Sequence, residues 1–183
     1  TITGVGFQPD WVWFKNRSTT NDHNFYDVVR GSSKRLEPNN TLVEADIGAD
    51  FTFQSDGFYV GDRGDTNGNG NNIATWNWKA DNSAGSSNSN GSITSTVSVN
   101  TTAGFSIVKY VGTGANATVG HGLGVAPKVV IIKSRDSSYS WRSYHASLGA
   151  TKYIELDATG AATTASNFMN NTAPTSTVFS LGN

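Results

Sequence analysis

Residues 4–17, GVGFQPDWVWFKNR, return in altered form about 118 positions later as GLGVAPKVVIIKSR, residues 122–135. The register then runs on without a gap until Leu36 lies over Ile154. A period of this length means that one supersecondary unit is used more than once, so a fold that suits one copy must suit the other. Identical pairs include Gly4 and Gly122, Gly6 and Gly124, Pro9 and Pro127, Val12 and Val130, Lys15 and Lys133, Arg17 and Arg135, Tyr26 and Tyr144, Gly31 and Gly149, and Lys34 and Lys152. After a short insertion, GFYVG (57–61) lies over VFSLG (178–182).

The copies are cut at different places. GFSIVKYVG (104–112) precedes the second copy, and its counterpart for the first would lie before Thr1. IATWNWKA (73–80) follows the first copy, and its counterpart would lie beyond Asn183. The expectation is about one and a half copies of a roughly 120-residue unit. Residues 1–90 would hold the first unit, lacking its first strand, plus a linker; residues 91–183 would hold the second, lacking its last strand. The chain then reads as a piece of a longer repetitive protein, or as one whose terminal strands pair with a neighbouring chain.

Short strands are predicted throughout: WVWFK (11–15), FYDVV (25–29), DFTFQ (50–54), GFYVG, IATWNWK, ITSTVSV (93–99), FSIVKYV (105–111), KVVIIK (128–133), SWRSYH (140–145) and KYIEL (152–156). Each is rich in β-branched or aromatic residues and bounded by Gly, Asn, Asp or Pro. WVWFK and KVVIIK are apolar on both alternating faces, as strands at the centre of a sandwich should be, whereas ITSTVSV alternates and should keep one wet face. Low hydrophobic (36%) and charged (15%) fractions leave the balance to Gly, Asn, Ser and Thr, which suits turns rather than long helices. Together these point to an all-β fold, an antiparallel β-sandwich of jelly-roll type. DNSAGSSNSNGS (81–92) reads as a flexible linker between the copies.

Charge and composition narrow the function. With 13 Lys plus Arg against 14 Asp plus Glu, the net charge of −1 offers no basic field for nucleic acid. Cysteine is absent, so disulfides and thiolate metal sites are excluded. No stretch approaches a membrane-spanning length, and no membrane insertion is expected. Thr1 opens the chain with neither a basic nor an apolar leader, again as expected of a segment.

Several residues invite chemistry. Asp65, Asn67, Asn69 and Gly70 reproduce the D-x-N-x-N-G opening of a calcium loop, with Asp62 as a further oxygen donor, but the closing Glu position holds Trp76. A turn needing left-handed residues would choose the same Asn and Gly. No cofactor is expected beyond this calcium option. Trp76 and Trp78 share one strand face, and Tyr139, Trp141 and Tyr144 cluster in another segment; aromatic rings beside Asn, Asp and Thr suit a pyranose, although they also fill sandwich cores. Trp11 and Trp13 lie over Val129 and Ile131, which marks the position as apolar core, whereas Trp141 lies over His23 and is the better exposed candidate. Lys15, Arg17, Lys133 and Arg135 read either as partner contacts or as strand-end charges reaching water. His121 lies over Thr3, which argues against a duty shared by both copies. Glu44 with Asp46, and Glu155 with Asp157, form E-x-D pairs, but the further acid of a glycosidase strand is replaced by Ala49 and Gly160. No nucleophile motif is present, and a non-enzymatic chain is expected.

The run HGLGVAPK (121–128), the Tyr-His-x-x-Leu-Gly element at Tyr144 to Gly149 and NNTAPTSTVFSLG (170–182) resemble a repeat of bacteriophage structural proteins common in marine and cyanobacterial phages. The first copy departs from it at Thr3 and at YDVVRG (26–31). The resemblance implies a virion surface protein made in the host cytoplasm, often beside concanavalin-A-like domains, with other virion proteins as partners and homo-oligomerisation, a trimer being favoured. The functional expectation is a tail-fibre or appendage module that mediates host adhesion, with a host surface glycan as a possible ligand, or that positions a receptor-binding tip. One alternative is a structural head-decoration or fibre-shaft protein; another is a lectin-like module or polysaccharide depolymerase.

Overall fold

The computed structural model describes residues 1–183. Eight strands form the first half: β1 (Ile2–Thr3), β2 (Trp11–Asn16), β3 (Asn24–Asp27), β4 (Lys34–Arg35), β5 (Ala45–Asp46), β6 (Phe51–Gln54), β7 (Gly57–Val60) and β8 (Ile73–Trp78). A single helical turn, α1 (Gly64–Asn67), separates β7 from β8. Nine more follow: β9 (Ser86–Asn88), β10 (Ser95–Asn100), β11 (Phe105–Lys109), β12 (Ala117–Gly120), β13 (Val129–Ile132), β14 (Arg142–His145), β15 (Lys152–Glu155), β16 (Thr163–Thr164) and β17 (Val178–Leu181). The fold is all-β and its ladders are antiparallel, the sandwich class that the sequence predicts. No helix is long and apolar enough to cross a membrane.

In the first half, sheet β1-β7-β6 packs on sheet β3-β2-β8. Val12, Phe14, Tyr26, Phe51, Phe58 and Val60 fill the space between. In the second half, β12-β17 and β11-β10-β9 face sheet β13-β14-β15-β16, around Ile93, Val119, Tyr144, Met169 and Phe179. These cores correspond position by position. Val12, Phe14, Tyr26 and Phe51 lie at the same offset from Val130, Ile132, Tyr144 and Met169, and Phe58 corresponds to Phe179.

Strand register repeats as faithfully as the core. Trp11 pairs with Asp27 as Val129 pairs with His145, and Phe14 with Asn24 as Ile132 with Arg142. Lys34 pairs with Asp46 as Lys152 pairs with Thr164. A slip of one residue would turn the core face outward, so this agreement fixes the same sidedness in both halves. Turn hydrogen bonds recur as well: Val28 N donates to Asp10 O as Ala146 N does to Lys128 O, and Ile47 N to Ser33 O as Ala165 N does to Thr151 O. Gly31 and Gly149 both take positive φ (100° and 78°) at the same turn, which accounts for glycine at both positions.

Three expectations change. The segment 81–92 is not a free linker, because β9 pairs with β10 and the Asp10 carboxylate accepts from Ala80 N and Asn82 N. Strand contacts therefore run across residue 90. The polar face expected of 93–99 is wet only in part: Thr94 is exposed and Thr96 half-buried, but Ser98 is fully buried and bonds Asp81, so the folded-back segment covers that end. β13, apolar on both faces, is an edge strand, with Val129 49% and Ile131 44% exposed.

Phe58→Ala and Phe179→Ala, one in each core, are each expected to lower the free energy of urea unfolding by about 3–5 kcal/mol. The double variant should lose their sum to within about 0.5 kcal/mol if the cores are energetically separate.

Candidate functional site

β2 and β8 pair over their whole length and bring four tryptophans onto one face. Trp11 stands opposite Trp78 with ring centroids 4.4 Å apart, and Trp13 opposite Trp76 at 5.5 Å. Alternation forces this, because the intervening Val12 and Phe14 point into the sandwich core. Phe25 on β3 meets Trp11 and Trp13 edge-on at 4.6 and 4.9 Å, the arrangement that the ring quadrupoles favour. The sequence reading of Trp11 and Trp13 as sandwich core is thus corrected: they are half-buried on the outer face of their sheet.

The second half covers part of that face. Phe105 of β11 lies 5.9 Å from Trp11 and 6.3 Å from Trp78. Trp141, only 5% exposed, packs edge-on against Phe25 at 5.4 Å, and its indole Nε1 donates to Glu37 O at 2.9 Å. Trp141 is therefore a seam residue, and not the exposed ring that its counterpart His23 suggested. Tyr144 is core, 4% exposed, and Tyr139 is 68% exposed on its loop. The aromatic cluster expected of 139, 141 and 144 does not form, because the three side chains go to a loop, the seam and a core.

Charge holds the same seam. The Arg135 guanidinium grips Glu44 through Nε at 2.8 Å and Nη2 at 2.6 Å, and Glu44 N donates to Arg135 O. Arg30, itself paired with Asp27, reaches Glu44 from the other side at 3.1 Å. Burial pushes the Glu44 carboxyl upward, but the two guanidiniums outweigh it and hold it below the usual range. Lys133 donates to Thr41 O across the seam and to Tyr139 O at its own strand end. Lys15 donates to Asn21 O at the equivalent place. These lysines tie down carbonyls instead of reaching free water; Arg17 alone of the four is exposed. Sequence reasoning missed the 37–44 loop as a seam element. Its one signal was Glu44, an acid at the position that Ala162 holds in the second copy.

Trp76, 48% exposed, is the ladder ring with the most open surface. Beside it, Trp13 Nε1 donates to His23 Nδ1 at 2.8 Å, which fixes the neutral imidazole with its proton on Nε2. Burial, helped by Lys15 and opposed by Asp22, lowers the His23 pKa, in keeping with that tautomer. His23 N donates to Asn39 Oδ1, and Asn39 Nδ2 donates to Asp22 Oδ1. Asp22 then lines an open polar groove of about 630 Å³ with Glu37, Asp62, Arg63 and Asp65. The tryptophan ladder is thus linked to the polar groove through His23, Asn39 and Asp22. Asn16 fixes the groove floor, since its buried amide donates to Gly64 O.

The proposed calcium loop does not form a cage. Asp65 is taken by Arg35 and Arg63 at 3.0 and 3.1 Å, Asn67 donates to Gly61 O, and Asp62 and Asn69 lie exposed. No three acidic or histidine side chains converge for a metal. Three of the four E-x-D acids are engaged too: Glu44 by arginines, Asp46 by Lys34, and Asp157 by Trp141 N. His121 is 2% exposed, accepts from Leu123 N and bonds Thr175 O, a turn-holding role.

Because the folded pKa of Glu44 is depressed, its contribution is complete above the ordinary carboxylate range and is lost as pH falls through the folded value. Thermal melts of Glu44→Gln are expected to lose about 1.5–3 kcal/mol at neutral pH and to converge on the parent below that range. No curated protein and no solved structure matches the chain. Along its whole length, residues 1–183, the sequence matches the Domain of unknown function (DUF7483), and the chain belongs to that family.

Proposed function

We propose that the chain is a non-enzymatic surface module of a bacteriophage virion, part of a tail fibre or similar appendage, which adheres to host surface glycan or positions a receptor-binding tip. Virion placement rests on the sequence resemblance. The adhesive role rests on one observation of geometry: the half-exposed Trp76, set on a stiff four-tryptophan ladder and joined through Trp13, His23, Asn39 and Asp22 to a polar groove. An aromatic ring covers the apolar face of a pyranose, while carboxylates and amides at its rim take the hydroxyls. The ladder leaves Trp76 few alternative positions, so little order is lost on binding. Several copies of the chain, displayed on an oligomer, would turn weak single-site contacts into strong attachment.

A structural role, with all surfaces given to other virion subunits, is the second reading; the exposed Val129 and Ile131 favour it. A glycan array probed with the intact oligomer separates the two. Adhesion predicts selective signals that fall at least ten-fold in Trp76→Ala while the melting temperature moves by only a few degrees. Uniform background across host envelope polysaccharides would remove the adhesive role.

A further inference from the structure

β2 and β13 are the same strand of the repeat, as their shared register with β3 and β14 demonstrates, yet their other edges differ. On β2 that edge carries β8 through six consecutive residue pairs, from Trp11 with Trp78 to Asn16 with Ile73. On β13 it carries nothing. Between the flanking Lys128 and Lys133, β13 itself carries none of the devices that usually protect an edge. Val129, Val130, Ile131 and Ile132 form an uncharged run without proline or glycine, and Val129 and Ile131 stand about half exposed. Ile131 continues across Ser143 to Ile154, 39% exposed, so the apolar surface extends over the sheet face. The equivalent face of the first half is the one that β8, Phe105 and Trp141 cover.

We infer that the free edge of β13 is an acceptor site for an antiparallel strand of the β8 type, an extended segment with two tryptophans two residues apart, given by a second copy of this chain. The offset sets the register. The residue equivalent to Trp78 stands opposite Val129, that equivalent to Asn77 opposite Val130, and that equivalent to Trp76 opposite Ile131. Main-chain hydrogen bonds supply the pairing, and the alternate indoles close over Val129 and Ile131 as Trp78 and Trp76 close over Trp11 and Trp13. Because β8 pairs with β2 inside its own unit, a copy that gives this strand exchanges it for that pairing, one element swapped between two copies. The inference does not depend on glycan adhesion.

The probe is a labelled peptide with the sequence NNIATWNWKA, residues 71–80, titrated into the whole chain and followed by fluorescence anisotropy. Saturable binding at one site per chain is expected. It should weaken at least ten-fold in Ile131→Lys, whose melting temperature serves as the folding control, and at least ten-fold for a peptide N-methylated along one edge, which keeps its tryptophans but loses its donors. A peptide with both tryptophans replaced by serine should also bind at least ten-fold more weakly. Absence of saturable binding, equal binding by folded Ile131→Lys, or indifference to N-methylation would each overturn the proposal.

Discussion

A pleated sheet has two faces and two edges, and a sandwich core satisfies only one of those faces. Everything distinctive in this protein follows from how the other face and the edges of one recurring sheet are covered. In the first half, β3-β2-β8 turns Val12 and Phe14 inward and a row of indoles outward, and the second half lays Phe105 and Trp141 across that row. In the second half, the same strand in the same register turns Val129 and Ile131 outward with no cover. One chain thus holds the covered and the uncovered form of a single surface.

Aromatic burial and ion pairing contribute differently to the seam. A large aromatic ring removes roughly 150–250 Å² from water, worth several kcal/mol at about 25 cal/mol per Å². The Glu44 carboxylate between Arg30 and Arg135 must first be desolvated, which cancels much of its attraction. Apolar contact is therefore the larger stabilising term, and the bidentate Arg135–Glu44 pair mainly fixes how the two halves are set against each other. A shifted docking would strand Glu44 between unpaired partners, so the ion pairs penalise wrong arrangements more than they stabilise the right one.

Much of this was legible in the sequence, because duplication lets each copy test the other. The strands β2, β3, β6, β7, β8, β10, β11, β13, β14 and β15 follow from β-branched or aromatic runs between turn residues, and the shared identities at Tyr26 with Tyr144 and Gly31 with Gly149 are positions where core or backbone tolerates little else. Trp141 was misread because its counterpart is His23: the two occupy one place in the unit, and their backbone amides make equivalent bonds to Asn39 and Asp157, but only Trp141 has another sheet to pack on. Short strands such as β4, β5 and β9 escaped notice because two or three polar residues carry no periodicity. The Asp62 to Asn72 loop looked like a metal site because spacing alone cannot show that Arg35 and Arg63 reach Asp65 from elsewhere. The apolar run of β13 predicted a strand covered on both sides, and its exposed edge is where pattern and structure part.

Amide hydrogen exchange on the isolated chain, compared strand against strand, is the most direct measurement of that difference. The account requires slow exchange at every ladder amide of β2, which is paired on both sides, and fast exchange at alternate amides of β13, whose outer donors meet only water. Uniform slow exchange along β13, matching β2 residue for residue, would contradict it.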